Sequence, residues 1–196
     1  METTIIKPDP LLICADTNIC EAMRYSGCRT DEDEKLRTLC QECIEELTGK
    51  ITPKAVCTTA EVTIQGDRID FGFFSAESRS LRIFLGERRE VGIFAATLGV
   101  GADMLISRYS LINPSRAVML DGAAGAMIEC FCDKVTAEHF GARAQERFSP
   151  GYGDLPLQIQ STLLNMLDAN LKIGLTLSES LMLLPTKSVT AIVPIE

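Results

Sequence analysis

One histidine, His139, serves a chain of 196 residues. That shortage excludes histidine-rich metal sites and leaves at most one imidazole for a Ser-His-Asp or Cys-His arrangement. His139 stands beside Phe140 near an expected helix end, where a cationic side chain favourably meets the helix dipole. No run of lysine or arginine occurs, and the net charge is -8. A phosphate backbone demands clustered cations, so nucleic acid is excluded as a partner. An acidic surface instead favours solubility and can steer a basic partner. No apolar stretch is long enough to span a bilayer, and Met1 to Pro8 has no signal pattern, which places the chain in the cytoplasm. The eight cysteines are then expected as reduced thiols. Gly99-Val100-Gly101-Ala102-Asp103 lacks the lysine and the full glycine spacing of a phosphate-binding loop. Internal repeats, low-complexity tracts and linkers are all missing, so residues 1–196 are read as one domain.

What is present is a core-forming composition, 46% hydrophobic and 23% charged. Thr17 or Asn18 can cap a short helix carrying Ile19, Met23 and Tyr25 and ending at Gly27. A second helix is expected from near Thr30 or Asp31, with Leu36, Leu39, Cys40, Cys43, Ile44 and Leu47 as its apolar stripe. Gly49 and Pro53 end it. The period then falls to two: Ala55 to Ile64 reads as a strand, Gln65-Gly66-Asp67 as a turn, and Ile69, Phe71 and Phe73 as its partner. Ser75 to Leu85 reads as a short helix and Glu90 to Leu98 as a buried strand, with Gly99 and Gly101 opening another helix. Asn113-Pro114 caps a long helix over Ala117 to His139, whose Gly122 to Ala126 patch suits close packing against a backbone or a ligand. Arg143 to Phe148 is a candidate strand, Pro156 to Leu167 a helix, Leu177 to Leu184 a short segment and Ser188 to Ile195 a terminal strand. This mixture predicts an α+β domain.

The chemistry concentrates in Arg147-Phe148-Ser149-Pro150-Gly151-Tyr152-Gly153-Asp154. Proline fixes φ and glycine admits unusual backbone angles, so the segment can hold a polar backbone edge against a small ligand. Arg147 brings a planar fork suited to a carboxylate, and Tyr152 brings a ring face and a hydroxyl. The fitting ligand has a carboxylate end and a flat or cationic end. The plainer reading is a tight turn between a strand and a helix. Cys40-x-x-Cys43 lies mid-helix on an apolar stripe without a second pair at zinc spacing, so buried structural thiols are expected. Cys130 and Cys132 point in different directions on a helix.

The Arg147 to Tyr152 segment resembles the Arg-x-x-x-Gly-Tyr signature of the activation domain of cobalamin-dependent methionine synthase. A second block, Ile173 to Pro185 followed by Lys187-Ser188-Val189-Thr190-Ala191, resembles the family's Gly, Thr/Ser-Glu-Ser, Met, Pro and Ser-Val-Ser-Gly pattern in the same order. Ala96-Thr97-Leu98-Gly99 and the run from Leu120-Asp121 to Val135 match more weakly. The likeness covers roughly the last hundred residues well.

The resemblance implies a largely antiparallel sheet surrounded by helices. It also implies a domain that binds S-adenosylmethionine and helps return cob(II)alamin enzyme to methylcobalamin, with a flavodoxin-type electron donor. Arg147 would hold the methionyl carboxylate. The backbone around Ser149, Pro150 and Gly151 would take polar groups of the ligand, and Tyr152 would pack beside it. No Asp-x-His-x-x-Gly run is present, so cobalamin would come only through a partner, a methionine synthase or other corrinoid protein. Three departures stand out. Gly153 replaces the family's proline, an acidic helix position falls at Gly125, and the sequence ends at Glu196 without the family's C-terminal extension and its aromatic residue. The alternative is a non-enzymatic assembly or regulatory protein of the same fold that has lost the ligand. A methyltransferase using the same pocket would need a base or nucleophile that the sequence does not supply.

Overall fold

Each central strand alternates its side chains between two separate cores, and that alternation organises the molecule. The computed structural model describes residues 2–29, 32–141 and 146–195. In chain order the elements are β1 (Thr4–Ile6), α1 (Pro10–Asp16), α2 (Ile19–Tyr25), α3 (Glu34–Thr48), β2 (Lys54–Glu61), β3 (Thr63–Gln65), β4 (Arg68–Asp70), β5 (Ser75–Glu77) and α4 (Arg79–Leu85). They continue with β6 (Glu90–Thr97), α5 (Val100–Ile112), α6 (Pro114–Phe140), α7 (Ile159–Leu167), α8 (Ala169–Ile173), β7 (Thr176–Leu177), β8 (Leu183–Leu184) and β9 (Ser188–Pro194).

The main sheet runs β1-β2-β6-β9, antiparallel throughout. On β6, Phe94 and Ala96 enter the core beneath α1, α2, α3, α5 and α6, while Val91, Ile93 and Ala95 enter the core beneath α4, α7 and α8. Ala191 and Val193 of β9 take the first side and Ile192 the second. Both faces are therefore covered, which is why these strands read as near-continuous apolar runs. Two small sheets, β3-β4-β5 and β7-β8, complete an α+β fold. Among the described residues no helix is long and apolar enough to cross a membrane.

Local signals account for most boundaries. Asn18 caps α2, its Oδ1 accepting from the N–H groups of Cys20 at 2.9 Å and Glu21 at 3.3 Å. The helix expected from Thr30 or Asp31 begins at Glu34, where Asp33 accepts from Lys35 and Leu36; Thr30 and Asp31 lie outside the described residues. Asp9 and Pro10 start α1, a helix the apolar pattern did not reveal because only Ile13 is buried while Leu11 and Leu12 face outward, so no apolar stripe marks it.

The expected strand from Ala55 to Ile64 is two strands. β2 pairs with β6 as far as Glu61, and β3 then joins the small sheet, a change of partner that leaves the alternation intact. The helix expected from Ser75 is a strand to Glu77, followed by α4 with Ser78 as its cap. The candidate strand at Arg143 to Phe148 begins in residues 142–145, which lie outside the described residues. Its described end forms one bridge, Phe148 to Ile192.

Candidate functional site

Phe148 fixes the entrance of the motif turn by exchanging two 2.9 Å backbone hydrogen bonds with Ile192 on β9. The chain then folds back tightly. Gly151 N–H donates to Leu155 C=O at 2.9 Å, and Tyr152 N–H donates to Ser149 C=O at 3.0 Å. Gly151 and Gly153 have φ of 92° and 54°, both in the left-handed region that favours glycine. A proline cannot adopt the second value, so this turn differs in conformation from one with proline after Gly-Tyr. Phe148 packs between the Phe84 ring at 5.3 Å and the Tyr152 ring at 6.0 Å, the latter edge-on.

Asp154 anchors the exit. Its carboxylate accepts from Ser78 Oγ at 2.5 Å, from Arg79 N–H at 2.9 Å and from Ser80 N–H at 3.1 Å, capping α4 from a distant part of the chain. These bonds, that of Ser78 foremost, hold its pKa well below the usual carboxylate range.

Arg147 is 9% exposed at its side chain and is clasped by two carboxylates of α6. One terminal nitrogen donates to Glu129 Oε2 at 2.6 Å and the other to Asp133 Oδ1. Glu129 and Asp133 stand four residues apart, hence on one helix face. Burial opposes the charge on Arg147, and the carboxylates of Asp133 and Glu129 more than offset it, so the guanidinium pKa is raised.

These groups line a cleft of about 450 Å³. Its walls are α2 (Glu21, Arg24, Tyr25), α6 (Glu129, Asp133), the motif turn and the start of β9. Gln160 holds the remaining side by donating to Leu181 C=O at 3.0 Å, beside Leu183. Three carboxylates thus face two guanidinium groups, and two tyrosines stand exposed, Tyr25 at 46% and Tyr152 at 58%.

Of the five residues singled out from sequence, Arg147, Ser149 and Tyr152 line the cleft. Pro150 is buried under the turn. Gly151 is exposed, its N–H committed to Leu155. The second matched block supplies the far wall through Leu183, Ser188, Val189 and Thr190, while Lys187 pairs with Asp121 of α6 at 2.8 Å.

Sequence reasoning did not find Tyr25, Glu129, Asp133 and Gln160. The four-residue spacing of Glu129 and Asp133 was readable, but nothing local connected it to Arg147. The Gly122 patch meets the backbone of α2: a Cβ there would lie 2.6 Å from Ser26 N and 2.8 Å from Ala22 O. At Gly125 the neighbour is the Tyr25 ring, 3.4 Å from the corresponding point.

No cysteine lines this cleft among the described residues. Burial pushes Cys40 and Cys43 up to about 11 and raises Cys132 further. Among the described residues no group of three or more His, Cys, Asp or Glu is arranged to hold a metal ion.

No family model matches the chain, and no curated protein matches it. Among solved structures it is similar to the MetH reactivation domain bound to AdoHcy, with a TM-score of 0.76 and 14% identity over 98% of this chain and 78% of that one. The two share their fold.

Proposed function

We propose that this chain binds S-adenosylmethionine in the Arg147 cleft and serves as an accessory protein in the reductive remethylation of a cobalamin-dependent methionine synthase or related corrinoid methyltransferase. One observation carries the reading. The resembling motif lines a cleft that joins a guanidinium–carboxylate cluster to exposed aromatic rings, in a fold whose solved counterpart holds AdoHcy. The whole chain acts as one activation-domain-like unit.

The residues fit such a ligand. A guanidinium has five N–H donors, and Arg147 spends its two terminal nitrogens on Glu129 and Asp133. The donors left over meet the ligand carboxylate. Glu21, Glu129 and Asp133 face its ammonium and sulfonium charges, and Ser149 and Gln160 offer hydrogen bonds from the side. S-adenosylmethionine supplies a transferable methyl group when bound, and the protein supplies position and field. Cobalamin and the flavodoxin-type reductant belong to the partner.

The alternative, a scaffold of the same fold that has lost its ligand, is favoured by the same internal clasp, since Arg147 is already paired without a ligand. Calorimetric titration of S-adenosylmethionine and AdoHcy separates the two. Saturable binding is expected, tighter for the cationic sulfonium than for the neutral thioether, and weakened in Arg147→Ala and Tyr152→Ala. Tyr152 is exposed, so its loss tests the site without emptying the core. Silence of the folded wild type toward both ligands would sink the binding reading in favour of the scaffold.

A further inference from the structure

Resting on the cleft assignment above, we infer that Tyr25 is the platform on which the flat base of the ligand stacks, and that Gly122 of α6 brings α2 close enough to seat it. Tyr25 lies more than a hundred residues from the motif turn, yet it lines the same cleft. Its position follows from backbone packing. At Gly122 a side chain would meet Ser26 Oγ at 2.1 Å and the α2 backbone within 3 Å, so only glycine allows α2 to lie this close to α6. One turn further along α6, Gly125 faces the Tyr25 ring, 3.4 Å from where a Cβ would stand, an ordinary contact distance.

The cleft is therefore polarised along α6. Gly125 with its tyrosine marks one end, and Glu129 and Asp133 with Arg147 follow at one and two turns, a reach of about 12 Å from Gly125 to Asp133. On α2, Glu21 stands one turn from Tyr25. A ligand with a charged amino-acid end and a flat heterocyclic end matches this gradient in one orientation, heterocycle over Tyr25.

Tyr152 is the poorer platform, because its ring is already engaged edge-on by Phe148 and it belongs to the segment that carries Arg147. Among the described residues no aromatic ring stacks on Tyr25. The Arg24 guanidinium lies over its face, 5.2 Å from the ring centroid on a side chain that is 68% exposed. A base takes that face, and the arginine plane closes over its far side.

The test combines calorimetry with fluorine NMR of protein carrying 3-fluorotyrosine at its three tyrosines, the Tyr25 signal being assigned with Tyr25→Phe. Adenosine and S-adenosylmethionine are each expected to shift the Tyr25 resonance, and methionine is not. Tyr25→Ala should bind S-adenosylmethionine about tenfold more weakly, with Tyr25→Phe restoring affinity. If S-adenosylmethionine binds while Tyr25 stays silent, or Tyr25→Ala binds as well as wild type, the platform is overturned and the cleft assignment survives. If adenosine moves Tyr25 but S-adenosylmethionine does not bind, the platform stands and the S-adenosyl assignment fails. If neither ligand moves it, the platform is overturned.

Discussion

Asp154 is exposed, yet it ties the motif turn to the start of α4. Three donors converge on it from the start of α4, and Gly153 beside it passes so close to Ser80 that a Cβ would lie 2.5 Å from Ser80 Oγ. Its folded-state pKa is depressed, so the stability it contributes is fully present above the unfolded value of about 4 and is lost as pH falls toward the folded value. The stability difference between wild type and Asp154→Ala should therefore be constant from neutral pH to about pH 4 and shrink in stronger acid. Urea midpoints measured across that range check this; a difference that persists unchanged in strong acid would mean that the carboxylate charge is irrelevant. The motif containing Asp154 was legible in the sequence, but its partners were not. Seventy-odd residues separate Ser78 from Asp154, and no local pattern links a helix cap to a remote acceptor.

At the scale of elements, α6 shows how one ambiguous sequence feature was resolved. Two glycines inside a helix each cost about 1 kcal/mol relative to alanine, which demands a compensating contact but does not name it. The structure gives the two positions different neighbours. Gly122→Ala places a methyl group against the backbone of α2 and is expected to destabilise by roughly 1–3 kcal/mol despite the better helix propensity. Gly125→Ala meets only the Tyr25 ring at ordinary contact distance and should be neutral or stabilising by up to about 1 kcal/mol. Denaturant titration of the two variants distinguishes them, and equal effects would refute the backbone-contact account. Helix α2, with its Asn18 cap, was readable in advance. Its service as a wall of the cleft was not, because that depends on how far α6 lets it approach.

For the molecule as a whole, the cleft lies where several sheet and helix elements meet, so a ligand there bridges α2, α6, the motif turn and β9. Such a ligand binds the folded state alone. At a hundred times its dissociation constant it adds about 2.7 kcal/mol. In a chain of this size each kcal/mol raises the melting temperature by about 2–4 °C. Saturating S-adenosylmethionine should therefore raise Tm by roughly 5–10 °C. Differential scanning fluorimetry reads the shift, and Arg147→Ala should abolish most of it. An unchanged Tm at saturating ligand would argue against binding across these elements.

The sequence by itself determined the α+β character, the helix starts at Asn18, Gly99 and Asn113, and the central strands. Each of those depends on neighbours within about one turn or one pleat, where hydrogen bonding and burial act locally. It also marked Arg147, Ser149 and Tyr152 through a short turn motif. Only the tertiary structure decided that β2 and β3 separate, that Arg147 is shared by Glu129 and Asp133, and that Tyr25 faces the same cleft. Those outcomes depend on which distant backbones approach one another, and here a missing Cβ at Gly122 sets that approach.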